Sequence, residues 1–79
     1  MNWGFGIADG TVKELRQIAG DFGVTLEMTM KKSRLAPVVK ARWACWEHLE
    51  SKGWSSSAIG KLWNMDHSTV LSAKQRRVA

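Results

Sequence analysis

The chain has 79 residues, 44% of them hydrophobic, and a formal net charge of +5. A chain of this length folds as one domain that buries only about 60 to 65% of its unfolded surface, which leaves little room for an elaborate enzyme cleft. It has no run of about 18 apolar residues to span a bilayer, and Met1 to Gly10 lacks the basic start and apolar stretch of a leader. A cytoplasmic protein with no membrane partner is therefore expected.

Cys45 is the only cysteine and there are two histidines, so neither an intrachain disulfide nor a zinc-binding spacing is available. No metal or cofactor is expected, and stability must come from packing. Five tryptophans, beside two phenylalanines and no tyrosine, supply a large apolar area to a small core, and some should remain half exposed.

Charge is distributed unevenly. Residues 1–30 carry two basic and four acidic side chains, a net −2, whereas residues 31–79 carry ten basic and three acidic, a net +7. A polarised chain presents a basic face to an anionic partner, of which nucleic acid is the commonest for a domain this small.

The first ten residues read as an N-terminal extension to a single domain over 11–79. Thr11 and Glu14 have the spacing of a capping box, and Val12, Leu15, Ile18 or Ala19, and Phe22 recur at helical intervals, predicting a first helix from Val12 to Phe22, stopped by Gly23. Val24, Leu26 and Met28 fit one helical turn or a short strand, with the helix preferred. Lys31-Lys32-Ser33-Arg34 has no apolar member and predicts an exposed loop. Pro37 suits the first turn of a second long helix, which should bury Val38, Ala41, Cys45 and Leu49 and end near Gly53, with Lys40 and Arg42 on its exposed faces. Ser55 is a good N-cap for a short helix through Trp63 that buries Ile59, Leu62 and Trp63, with Gly60 allowing a close helix crossing. Asn64-Met65 makes a tight connection, after which Asp66 can cap a last helix carrying Val70, Leu71 and Ala73 and ending in Lys74, Arg76 and Arg77. All regular segments are helical, so the expected fold is a small all-α bundle.

Two short helices joined by a tight turn, the second opening on small polar residues and closing on basic ones, have the form of a DNA-reading helix-turn-helix. A helix of that width fits the major groove, where its first side chains meet base edges.

The string Ile59-Gly60 followed by Asp66-His67-Ser68-Thr69-Val70-Leu71 resembles the signature of the C-terminal DNA-binding domain of the bacterial replication initiator DnaA. The likeness extends back to take in the basic loop containing Arg34 and Ala41-Arg42 at the start of the next helix, and covers roughly Thr11 to Arg77. It implies a Trp-repressor-like helical fold and places Asp66, His67, Ser68 and Thr69 at bases in the major groove. It also implies that Arg34 enters the adjacent minor groove and that Arg42 holds a phosphate or the groove edge. Asp66 can accept from cytosine N4, His67 can donate or accept, and Ser68 or Thr69 can meet a thymine edge. Lys31, Lys32, Lys40, Lys61, Lys74, Arg76 and Arg77 are the further phosphate candidates.

The sequence departs from that family where the usual Gly-Gly-Arg before the Asp is replaced by the shorter Asn64-Met65, and where Ser72 and Trp43 replace a common His and Gln. The preferred base sequence is therefore expected to differ. No Gly-rich Lys-Ser/Thr phosphate loop accompanies the domain, so the resemblance implies the DNA-binding module without the initiator's ATPase.

The leading expectation is sequence-specific duplex binding by one copy per site, in replication control or transcription, in a stand-alone and nucleoid-associated protein of phage or prophage type. The alternative is an adaptor that docks the same basic face on the host replication initiator or another acidic partner. Enzymatic activity is not expected. Asp66, His67 and Ser68 are consecutive on a helix and point in different directions, and Cys45 falls on the predicted buried face without an activating partner.

Overall fold

The computed structural model describes residues 9–31 and 33–78, in which every regular element is an α-helix. In chain order these are α1 (Asp9–Asp21), α2 (Leu26–Thr29), α3 (Ala36–Ser51), α4 (Ser56–Trp63) and α5 (His67–Val78). The all-α bundle expected from hydrophobic spacing is the fold found.

Helix α1 buries Leu15 and Ala19, four positions apart on one face, and packs against α3. Its end is set by Gly23, whose φ of +76° turns the chain in a conformation that side chains with a Cβ rarely adopt. Thr25 then caps α2, its hydroxyl accepting the Met28 amide at 3.1 Å. The expected single helical turn is present, over Leu26–Thr29. Pro37 lies in the first turn of α3, where its missing amide costs no internal hydrogen bond. Val38, Ala41, Cys45, Trp46 and Leu49 form the buried stripe of this central helix. Ser55 caps α4 as expected, accepting the Ala58 amide at 3.2 Å.

Packed between α3, α4 and α5 is the main core. Leu15 and Leu26 join Cys45, Trp46 and Leu49 from α3, Ile59, Leu62 and Trp63 from α4, and Val70 and Ala73 from α5. Trp46 and Trp63 meet edge to face with ring centroids 6.2 Å apart, an arrangement that adds about 0.5 to 1.5 kcal/mol to their area burial. Trp43 and Trp54 pack against the rim of this cluster, so the expected division of the tryptophans into core and half-buried positions holds for the four described.

Several expectations are corrected. Helix α1 begins before Thr11, which therefore lies inside it rather than capping it. Phe22 falls beyond the helix end and is 38% exposed, and Leu71 lies on the outer face of α5. Arg42, expected on an exposed face of α3, is buried.

Candidate nucleic-acid interface

The connection between α4 and α5 is short because two features permit it. Asn64 adopts the left-handed conformation at φ 55° and reverses the chain, a geometry that asparagine tolerates better than most side chains. Gly60 lets the returning backbone lie against α4: the Met65 amide donates to the Gly60 carbonyl at 2.8 Å, and a Cβ added to Gly60 would stand 2.6 Å from the Met65 carbonyl oxygen. The close crossing read from Gly60 is thus made with the turn itself. Val70 and Ala73 anchor α5 in the core, leaving His67, Ser68, Thr69, Lys74 and Arg76 exposed.

Asp66 occupies the expected position just before α5. Its backbone carbonyl accepts the Thr69 and Val70 amides at 3.0 and 3.4 Å. Among the described residues its carboxylate accepts no hydrogen bond, so the side-chain cap is not formed and the acceptor remains available to a ligand.

Between α2 and α3 the basic loop is tightened by the Ser33 amide donating to the Lys31 carbonyl at 2.8 Å and the Leu35 amide donating to the Ser33 hydroxyl at 3.3 Å. Lys31 and Arg34 are exposed on it, as is Lys40 on α3. Lys32 and the Arg77 side chain lie outside the described residues.

The loop and the head of α5, more than thirty residues apart, meet in one open groove of about 530 Å³. Arg34 and Ser33 line it from the loop, Lys61 and Gly60 from α4, and Asp66 and Thr69 from the start of α5. His67 and Ser68 are exposed on the same first turn but outside the groove lining. A smaller groove of about 260 Å³ shares Arg42 and Thr69 and extends past Trp43 and Ser72 to Arg76. Trp43 and Ser72, from α3 and α5, therefore line the same groove.

Sequence reasoning missed what occupies the groove floor. Arg42 is 8% exposed and donates from Nε to the Thr29 carbonyl at 2.7 Å and from Nη2 to the Lys31 and Ser33 carbonyls at 2.6 and 3.3 Å. Desolvation lowers its pKa from the ordinary arginine value. Helical spacing puts Arg42 next to buried Ala41, and only the path of the loop over it shows that its charge is turned inward.

Charge pairing divides the molecule further. On the acidic part, Arg16 pairs with Glu27 at 2.8 Å and Lys52 with Glu14 at 2.8 Å, and both carboxyls are held below their usual range chiefly by those hydrogen bonds. His48 Nε2 also lies 3.2 Å from Glu14, without the alignment of a hydrogen bond. Lys31, Arg34, Lys40, Lys61, Lys74 and Arg76 make no ion pair among the described residues. Of these, Arg34 and Lys61 line the first groove and Arg76 the second, so uncompensated positive charge stands at both.

The described residues contain no cluster of three or more potential metal ligands and no helix long and apolar enough to cross a membrane. Comparison with protein-family models, curated proteins and solved structures gave no match to this chain.

Proposed function

We propose that this chain binds double-stranded DNA with sequence preference, the first turn of α5 entering the major groove and Arg34 the neighbouring minor groove. The observation that carries this reading is the convergence of Arg34, Lys61, Asp66 and Thr69 on one groove within an unpaired basic surface. A solvated charged face needs no such convergence. A helix about 10 to 12 Å wide matches a major groove about 12 Å across. With Val70 and Ala73 turned to the core, the side chains left on the outer face of the first turn are His67, Ser68 and Thr69, with the unbonded carboxylate of Asp66 beside them. These are short groups that accept or donate at base edges, while Lys61, Lys74, Arg76, Lys31 and Lys40 supply phosphate contacts from the flanks.

The role is that of a DNA-binding module in replication control or transcription, akin to the initiator domain that the Asp66-to-Leu71 string resembles. One molecule occupies one site. Selection from a randomised duplex pool at about physiological salt, followed by sequencing, tests the proposal, because counterion-driven binding without sequence preference is suppressed there. A defined enriched site is expected. His67→Ala or Thr69→Ala should relax the preference at individual base pairs by about 1 to 3 kcal/mol while changing non-specific binding less. Arg34→Ala should weaken binding and flatten the preference at a flanking, minor-groove position. An unenriched pool would refute the reading and favour a protein partner for the same face.

A further inference from the structure

We infer that Arg42 is a positioning residue, which with Thr29 fixes the basic loop against α4 so that Arg34 stands in register with the head of α5 before DNA arrives. The inference rests on the duplex-binding reading and assigns Arg42 a part in it other than contact with phosphate.

A continuous chain of buried or partly buried polar contacts supports it. The Trp63 indole N–H, in the first helix of the helix-turn-helix, donates to the Thr29 hydroxyl at 3.3 Å. That hydroxyl in turn donates to the Leu26 carbonyl at 2.6 Å, and Thr29 is wholly buried. The Thr29 carbonyl accepts Arg42 Nε, and the alternate carbonyls of Lys31 and Ser33 accept Nη2. The Thr29, Lys31 and Ser33 carbonyls thus converge on one guanidinium. Arg34, the next residue, is exposed into the groove. Leu35 follows at the α3 N-cap position with no side-chain cap of its own, and its amide donates back to the Ser33 hydroxyl at 3.3 Å.

The residue type matters. A planar guanidinium offers several N–H donors in a fixed fork, whereas a lysine ammonium is a compact charge that cannot hold the same carbonyls in one plane. Buried charge is tolerated only when its donors are bonded, and here backbone carbonyls bond them, with no carboxylate paired to the guanidinium among the described residues. The groove floor therefore stays positive while the loop is ordered. A loop arranged before binding avoids losing its freedom at the moment of binding, which raises affinity and narrows the positions Arg34 can reach.

The test uses the full chain and four variants: Arg42→Lys, Thr29→Val, Arg34→Ala and the double variant Arg42→Lys/Arg34→Ala. Each is measured for affinity to the selected site, for base preference, and for backbone order at 33–35 by ¹⁵N relaxation of the free protein. Arg42→Lys keeps the charge, so a phosphate-contacting residue would be largely replaced by it. A positioning residue would not. The expected result is about a tenfold loss on the selected site, of the kind that lost preorganisation produces. That loss should be confined to the base pairs whose preference Arg34→Ala also flattens, with greater mobility at 33–35 and no additional loss in the Arg34→Ala background. Thr29→Val should give a weaker form of the same pattern without altering any charge. Unchanged affinity and loop order in Arg42→Lys, or a loss that adds in full to that of Arg34→Ala, would overturn the inference. Should the wild type enrich no duplex, the DNA reading falls, and relaxation at 33–35 alone decides whether Arg42 orders the loop.

Discussion

Replacing Gly60 by alanine tests the connection on which the interface depends. The added Cβ would stand 2.6 Å from the Met65 carbonyl oxygen and 3.4 Å from the His67 amide nitrogen. Ordinary carbon–oxygen contacts begin near 3.3 Å, so the Met65 carbonyl must retreat by about 0.7 Å. The obstacle is backbone and cannot rotate away as a side-chain tip would. Overpacking of this kind costs about 1 to 3 kcal/mol. Alanine returns about 1 kcal/mol in an α-helix relative to glycine, leaving a net loss of about 1 kcal/mol. In a domain of this size that lowers Tm by roughly 4 to 8 °C, measurable by circular dichroism. Because the displaced turn carries Asp66 and the start of α5, preference for the selected duplex should fall along with stability. A Tm equal to or above that of the wild type would mean that helix propensity dominates, and the close approach of turn to helix would be refuted.

Three further outcomes are expected. Asn64→Ala should destabilise the protein by about 1 kcal/mol in a urea titration, because alanine pays the full left-handed penalty, and Asn64→Gly should be close to neutral; equal stabilities would contradict the left-handed turn. Burial pushes the Cys45 thiol up to about 12, so native protein at pH 8 should react with a thiol reagent only as fast as it opens, and prompt labelling would show that Cys45 is not in the core. The carboxyls of Glu14 and Glu27 lie below their ordinary value of 4.5 in the folded state, so their contribution is complete above that value and lost as pH falls below it through the lowered pKa. Tm should therefore fall more steeply below pH 4.5 in the wild type than in Glu14→Gln, and parallel curves would remove the Lys52 pairing from the acid response.

Local chemistry made much of the fold legible. Pro37, the stripe from Val38 to Leu49, the Ser55 cap and the inward set Ile59, Leu62, Trp63 and Val70 are each specified by spacing or by a nearest-neighbour hydrogen bond, and each is found where those rules put it. The exposure of Lys31, Arg34 and Lys40 was legible for the same reason, since an unpaired charge has no stable place in a core. The first turn of α5 was legible as exposed once Val70 was taken as buried.

Composition, spacing and capping residues specify a polarised all-α chain with a tight turn between two short helices and a basic loop ahead of them. Which of those parts meet is set by packing between distant segments. The side of α3 that bears Arg42 reads as solvent-facing until the Thr29, Lys31 and Ser33 carbonyls, 9 to 13 residues away in the chain, are brought to it. Likewise the groove that joins Arg34 to Asp66 and Thr69 brings together residues more than thirty positions apart in the chain. Propensity, capping and periodicity act within a few residues, whereas the burial of a charged group depends on acceptors that distant chain segments bring to it.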